Sequence, residues 1–145
     1  MIAPAFVLAL ATVPARATRV TDAGASAVRA SLDRERGAAS LPRLRVDPKL
    51  SRIAAAHAQD MARRRYFSHV SPEGVDPFTR MRRAGYSFRF AGENIGIGAN
   101  VARAQDVIAT DPSHRDIILR PQYRRVGIGV ARGPSGVIVV EDFSD

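Results

Sequence analysis

No cysteine occurs in the 145 residues, so a disulfide framework of the kind that staples small extracellular domains is excluded, and no thiol can serve as nucleophile or metal ligand. Stability must come from packing. Long apolar runs are also missing: no stretch approaches the roughly 20 residues needed to cross a bilayer, and an integral membrane protein is not expected. Lysine is nearly absent, Lys49 being the sole example among 22 basic residues, so arginine carries the positive charge. Only three histidines occur, His57, His69 and His114, which confines imidazole chemistry to three places. There is no H-E-x-x-H, G-x-S-x-G or P-loop pattern, which removes the common zinc-protease, serine-hydrolase and nucleotide-phosphate signatures. Gly96-Ile97-Gly98 and Gly127-Ile128-Gly129 miss the dinucleotide spacing and read as turn and strand glycines.

A chain of this length fits one domain and buries roughly two-thirds of its unfolded surface, enough for a core. Its 46% hydrophobic content fits a soluble globular protein. The net charge of +8 favours anionic surroundings such as cell-wall polymers, lipid head groups or nucleic acid. Yet the arginines are scattered, in Arg63-Arg64-Arg65, Arg80 with Arg82-Arg83, and Arg124-Arg125. No aromatic residues alternate with them as in a single-strand-binding platform, so they read as a solvated surface and nucleic acid is the least favoured partner. Residues 1 to 13 are almost wholly apolar and precede Ala15-Arg16-Ala17, a small-x-small pattern suited to signal peptidase. Pro4 and Pro14 count against a buried first helix. The expected organisation is a signal peptide over residues 1–17, lacking a positive n-region, and one mature domain over 18–145, secreted or held in the periplasm or cell envelope.

Along the mature chain, Ala25, Val28 and Leu32 recur at helical spacing over residues 22 to 36, with Gly24 loosening the start and Gly37 as a stop. Residues 38 to 46 show no period and predict a packed connection. Asp47-Pro48 supplies an N-cap and a proline at the first helical position. Leu50, Ile53, Ala54, His57 and Met61 then form one stripe, and Arg63, Arg64 and Arg65 complement the negative helix end. Asp76-Pro77 starts a shorter helix through Phe78 and Met81, ended by Gly85. The alternation of Phe88 and Phe90 predicts a strand leading into Gly92-Glu93-Asn94-Ile95, and residues 101 to 109 return to helical period. Residues 126 to 131 and 137 to 143, rich in valine and isoleucine and separated by Gly133-Pro134-Ser135-Gly136, predict a hairpin. Helices followed by strands, with no internal repeat, indicate an α+β domain.

His57 lies on the apolar stripe and is read as a hydrogen-bonded core histidine. His69 stands in Tyr66-Phe67-Ser68-His69-Val70-Ser71-Pro72-Glu73-Gly74, a turn-rich loop of the kind that carries binding groups, although an ordinary surface histidine reads equally well. Glu93 sits in an apolar, glycine-rich run, where an inward carboxylate needs a partner such as histidine or a metal, unless it bonds backbone or caps a helix. His114 follows Asp111-Pro112-Ser113 and falls in a helix's first turn, where the positive end disfavours imidazolium and leaves a ring able to bind a metal or accept a proton. Asp111 reads as the cap.

The order Phe67-Ser68-His69-Val70-Ser71-Pro72-Glu73-Gly74, Gly92-Glu93-Asn94-Ile95, Ser113-His114-Arg115-Asp116-Ile117-Ile118-Leu119 and Tyr123-Arg124-Arg125-Val126-Gly127-Ile128-Gly129 resembles the bacterial CAP, or SCP, domain. That superfamily comprises cysteine-rich secretory proteins, antigen 5 and pathogenesis-related proteins. The likeness covers about residues 22 to 144. It implies a three-layer α-β-α sandwich with a central, mainly antiparallel sheet, and a cleft lined in many members by two histidines and two acids. His69, Glu93 and His114 match three of the four. The second acid, carried in many eukaryotic members shortly after a tryptophan, falls nearest Asp111, with Ile108 in the tryptophan's place. Absence of cysteine fits the bacterial branches. The resemblance implies a secreted, non-enzymatic domain binding a lipid, sterol, envelope polymer or protein partner. A cleft binding Zn²⁺ or another divalent ion through His69 and His114, with Glu93 orienting a ligand or water, is the second expectation. A metal-dependent hydrolase using Glu93 as general base ranks below both.

Overall fold

The computed structural model describes residues 15–145, in which the elements follow as α1 (Ala15–Ala38), β1 (Arg45–Val46), α2 (Pro48–Arg64), α3 (Pro77–Arg83), β2 (Ala91–Gly98), α4 (Val101–Thr110), α5 (Pro112–Ile118), β3 (Arg125–Gly133) and β4 (Gly136–Ser144). The expected signal peptide falls for most of its length on residues 1–14, outside the described residues. Three of the five described helices begin with Asp-Pro. Asp47, Asp76 and Asp111 each hold extended backbone and accept from N–H groups of the first turn, while the proline that follows brings no N–H to satisfy. Three ends differ from expectation. Helix α1 begins at Ala15 rather than near Asp22, so Gly24 lies within it. Gly37 lies inside the last turn of α1, and the chain reverses instead at Ser40, whose φ of 56° is left-handed. Phe88 and Phe90 precede β2, because the Arg89 and Phe90 N–H groups donate to the Asp145 carboxylate (2.8 and 3.0 Å) rather than to a ladder.

The sheet order is β1-β3-β4-β2, with β1 parallel to β3 and the other two pairings antiparallel. The two-residue β1 lies in the segment expected to be an unpatterned connection; Val46 pairs beside Val126. The central β3–β4 hairpin is built from the two valine-rich runs and is covered on both faces. On one face α1, α4 and α5 enclose Val28, Leu32, Ile108, Ile118, Val126, Val139 and Phe143. On the other, α2 supplies Ala54, Ala58 and Met61 against Ile95, Ile138 and Val140. This is the three-layer α+β sandwich, and each fully buried Val, Ile or Phe contributes about 1.5–3 kcal/mol through area removed from water. Gly127 and Gly129 let α2 lie directly on β3, since a Cβ at either would fall on backbone atoms of Leu50 or Ala54.

Strand alternation fixes which side chains reach which layer. Glu93 and its register partner Asp142 face α2, as do Ile95 and Val140; Asn94 and its partner Glu141 face α4 and α5. Arg36, 1% exposed, ties the layers at one end by donating to the carbonyls of Pro42 (2.8 Å), Ile118 (2.7 Å) and Arg120 (3.1 Å).

Candidate functional site

Glu93 is the hinge of a polar cluster on the α2 side of β2. Its side chain is 1% exposed, and both carboxylate oxygens are engaged: Oε1 accepts from His69 Nδ1 at 2.8 Å and Oε2 from Arg80 Nη2 at 2.6 Å. Arg80, on α3, also donates through Nη1 to the carbonyls of His69 (2.8 Å) and Val75 (3.0 Å), so one guanidinium fixes both the carboxylate and the loop that carries the imidazole. His57 holds the same loop from α2, donating from Nε2 to the Ser68 carbonyl at 3.0 Å. It is the buried, hydrogen-bonded histidine expected on the helix stripe, and burial keeps its ring below the ordinary imidazole range although Glu93 acts the other way. Within the loop, Gly74 at φ 81° closes the turn by donating its N–H to the Ser71 carbonyl (2.8 Å).

Two carboxyls missing from the sequence reading complete the picture. Asp142 is buried beside Glu93, and neither of its oxygens has a donor. Burial first, then the Glu93 charge, raises its pKa well above the usual carboxylate range. Glu141, fully buried on the opposite face, accepts from Gln105 Nε2 at 2.7 Å and Asn94 Nδ2 at 3.2 Å, and burial lifts it to about 7. Both sit in the run of residues 137 to 143, whose valines and isoleucines marked a buried strand. Two acids within it were the available signal, by the argument applied to Glu93. Arg80 carried none, being one of many arginines.

The structure joins His69 to Glu93. His114 comes from α5 on the other face: its carbonyl accepts from Asn94 Nδ2 at 3.1 Å, and its Nδ1 is buried without a hydrogen bond, 3.8 Å from Asp111 Oδ1. Among the described residues no hydrogen bond or ion pair links its ring to His69 or Glu93. Asp111 caps α5, accepting from the N–H groups of Ser113 (2.8 Å) and His114 (3.1 Å). The Ser113 hydroxyl, first, and the His114 N–H hold it below the usual carboxylate range. Among the described residues no three His, Cys, Asp or Glu side chains are grouped to hold a metal ion.

The order of motifs, the sandwich and this pairing of an exposed histidine with a buried glutamate are accompanied by clear relationships. A model of the Cysteine-rich secretory protein family (CAP) matches residues 30–143, and the chain belongs to that family. It is 36% identical over 112 residues to the uncharacterized protein YkwD of Bacillus subtilis, covering 75% of this chain and 42% of that protein. It is 31% identical over 93 residues to the uncharacterized membrane protein YlbC of the same organism, covering 63% of this chain and 27% of that protein. The chain thus spans less than half the length of these curated relatives. Among solved structures, an extracellular protein containing an SCP domain from Bacillus anthracis superposes with a TM-score of 0.83 at 24% identity, over 94% of this chain and 45% of that one. An outer surface protein from Borrelia burgdorferi gives 0.77 at 19% identity, over 85% and 92%. These two likenesses establish the fold. No described helix is long and apolar enough to cross a membrane.

Proposed function

We propose that this chain is an exported, non-enzymatic binding domain working at the cell envelope or outside the cell, and that it takes its ligand at the His69 loop. The carrying observation is that both Glu93 oxygens are already engaged, one by an arginine. A carboxylate so neutralised is a poor general base and a good positioning group, which argues for recognition over hydrolysis. Export is supported by the apolar residues 1 to 13 with the small-x-small step, and by the extracellular and outer-surface descriptions of the two structural neighbours. Phe67 and Val70 flank His69 and are 44% and 43% exposed. A ligand with apolar surface beside a hydrogen-bonding group therefore suits the loop: a lipid, a sterol, an envelope component or a protein partner.

Binding assays on the purified chain against lipids, sterols and wall polymers, with mass spectrometry of molecules it retains, test this reading. The expected result is one retained class whose affinity falls roughly tenfold in His69→Ala, as for loss of one hydrogen bond to the ligand. A negative result for every class would end it. A second reading is favoured by a single feature. Glu93 fixes His69 with its Nδ1 as donor, leaving the Nε2 lone pair able to meet Zn²⁺ or another divalent ion, as carboxylates behind metal-bound imidazoles do. His114 was the second imidazole expected, but α5 holds it on the opposite side of the sheet, so an ion would meet His69 alone, short of the three protein ligands of a catalytic zinc site, with water in the remaining positions. Calorimetry with Zn²⁺ that is identical in wild type and His69→Ala/His114→Ala would remove this reading. Hydrolysis through the same cleft predicts loss of turnover in Glu93→Gln.

A further inference from the structure

Beside the His69 loop, which contributes Val75, α2 and α3 bound an open groove of about 570 Å³, within the roughly 300–1,000 Å³ typical of ligand clefts. Four cationic side chains line it, Lys49, Arg52, Arg80 and Arg83, and no acidic residue does. Arg80 is neutralised by Glu93. The Lys49 Nζ donates to a neutral carbonyl, that of Gly85, at 2.7 Å. Among the described residues neither Lys49, Arg52 nor Arg83 lies within ion-pair distance of a carboxylate. Between these charges the groove is apolar, with Ile53, Ala56 and Val75 along it. Three uncompensated cations over an apolar floor call for a ligand that is anionic at one end and hydrocarbon behind it.

We propose that this groove binds a single-chain amphiphile with a phosphate head. A phosphate monoester carries about −1.5 to −2 charge near neutral pH and three acceptor oxygens, matching three donors better than a carboxylate does. Arg52, Arg83 and Lys49 hold the head, and the first methylenes lie on Ile53, Ala56 and Val75. Ile53, 8% exposed, is recessed and Val75 is half-buried, so the apolar wall is set back between the cations rather than protruding, which favours one molecule over a bilayer surface. The site adjoins the His69 loop, sharing Arg80 and Val75 with it, and goes beyond that cleft through Lys49, Arg52 and Arg83.

The test is calorimetric titration of the full chain with dodecyl phosphate below its micelle concentration. Inorganic phosphate, dodecyl maltoside and phosphatidylglycerol vesicles form separate arms. One-to-one binding of dodecyl phosphate is expected, weakened roughly fivefold in Arg83→Gln and more than about tenfold in Arg52→Gln/Arg83→Gln. Arg132→Gln, an exposed arginine outside the groove, is expected to bind like wild type. Both groove arginines are exposed, so the unfolding midpoints should match. Equal binding by the double variant, equal binding of inorganic phosphate or of the neutral detergent, or association with vesicles alone would each overturn the proposal. The cleft is read out through its retained molecule and His69→Ala, so either site can fail without the other.

Discussion

Glu141→Gln isolates the energetic cost of one buried carboxyl. In the folded chain burial lifts Glu141 from 4.5 to about 7, against the downward pull of Gln105 and Asn94. Below the unfolded value the group is protonated in both states and stability is unaffected. As pH rises between the two values the unfolded chain ionises first and binds fewer protons than the folded one, so stability falls until the folded carboxyl has also titrated. A rise from 4.5 to about 7 corresponds to a loss of about 3 kcal/mol. Glutamine keeps the shape and has no charge to desolvate. Gln105 Oε1, which lacks a partner in the wild type, can accept from its amide if the Gln105 amide turns over, while Asn94 Nδ2 goes on donating to the glutamine oxygen. The remaining carboxyls are common to both proteins and largely cancel. Urea unfolding followed by circular dichroism, at several values from about pH 4.5 to about pH 8, should show the variant gaining about 3 kcal/mol on the wild type, a midpoint change of about 1–2 M. A stability difference that stays constant within about 0.5 kcal/mol over that range would refute the assignment of a buried, raised carboxyl.

Arg80→Met removes the cation that neutralises Glu93 and frees the His69 loop. It should cost about 3 kcal/mol in chemical denaturation, as for breaking a buried ion pair; an unchanged midpoint would contradict the pairing. Gly129→Ala drives a Cβ into the α2 backbone at Ala54, and about 2 kcal/mol of overpacking should appear as a lowered melting temperature. Asp145 is held down to about 2, first by the Phe90 N–H and then by Arg89. Its contribution is present above the unfolded carboxylate range and fades as pH falls through about 2. An NMR titration should show the Arg89 and Phe90 amide signals moving with that low midpoint; movement near the ordinary carboxylate value would disprove the bond.

The helix starts were readable because Asp-Pro is a local device: cap and proline act within a single turn, and α2, α3 and α5 begin where those pairs stand. The central hairpin was readable because both its strands are buried on two faces, which leaves nearly continuous valine and isoleucine. β1 and the end of α1 were not, since a two-residue strand has no period and Ser40 reverses the chain where Gly37 offered itself. His57 was placed correctly in the core, but its grip on the Ser68 carbonyl depends on a loop whose path no spacing encodes.

By itself the sequence determined the order of elements apart from β1, the family, and that Glu93 lies in an apolar run where a carboxylate needs company, because periodicity and capping are short-range properties of neighbouring residues. Only the tertiary structure decided who keeps it company. Strand register sets Asp142 beside Glu93 and sends Asn94 to the opposite face, α3 delivers Arg80, and α5 leaves His114 on the Asn94 side. Those choices follow from pairings between segments tens of residues apart, and such pairings are made by packing rather than by local spacing.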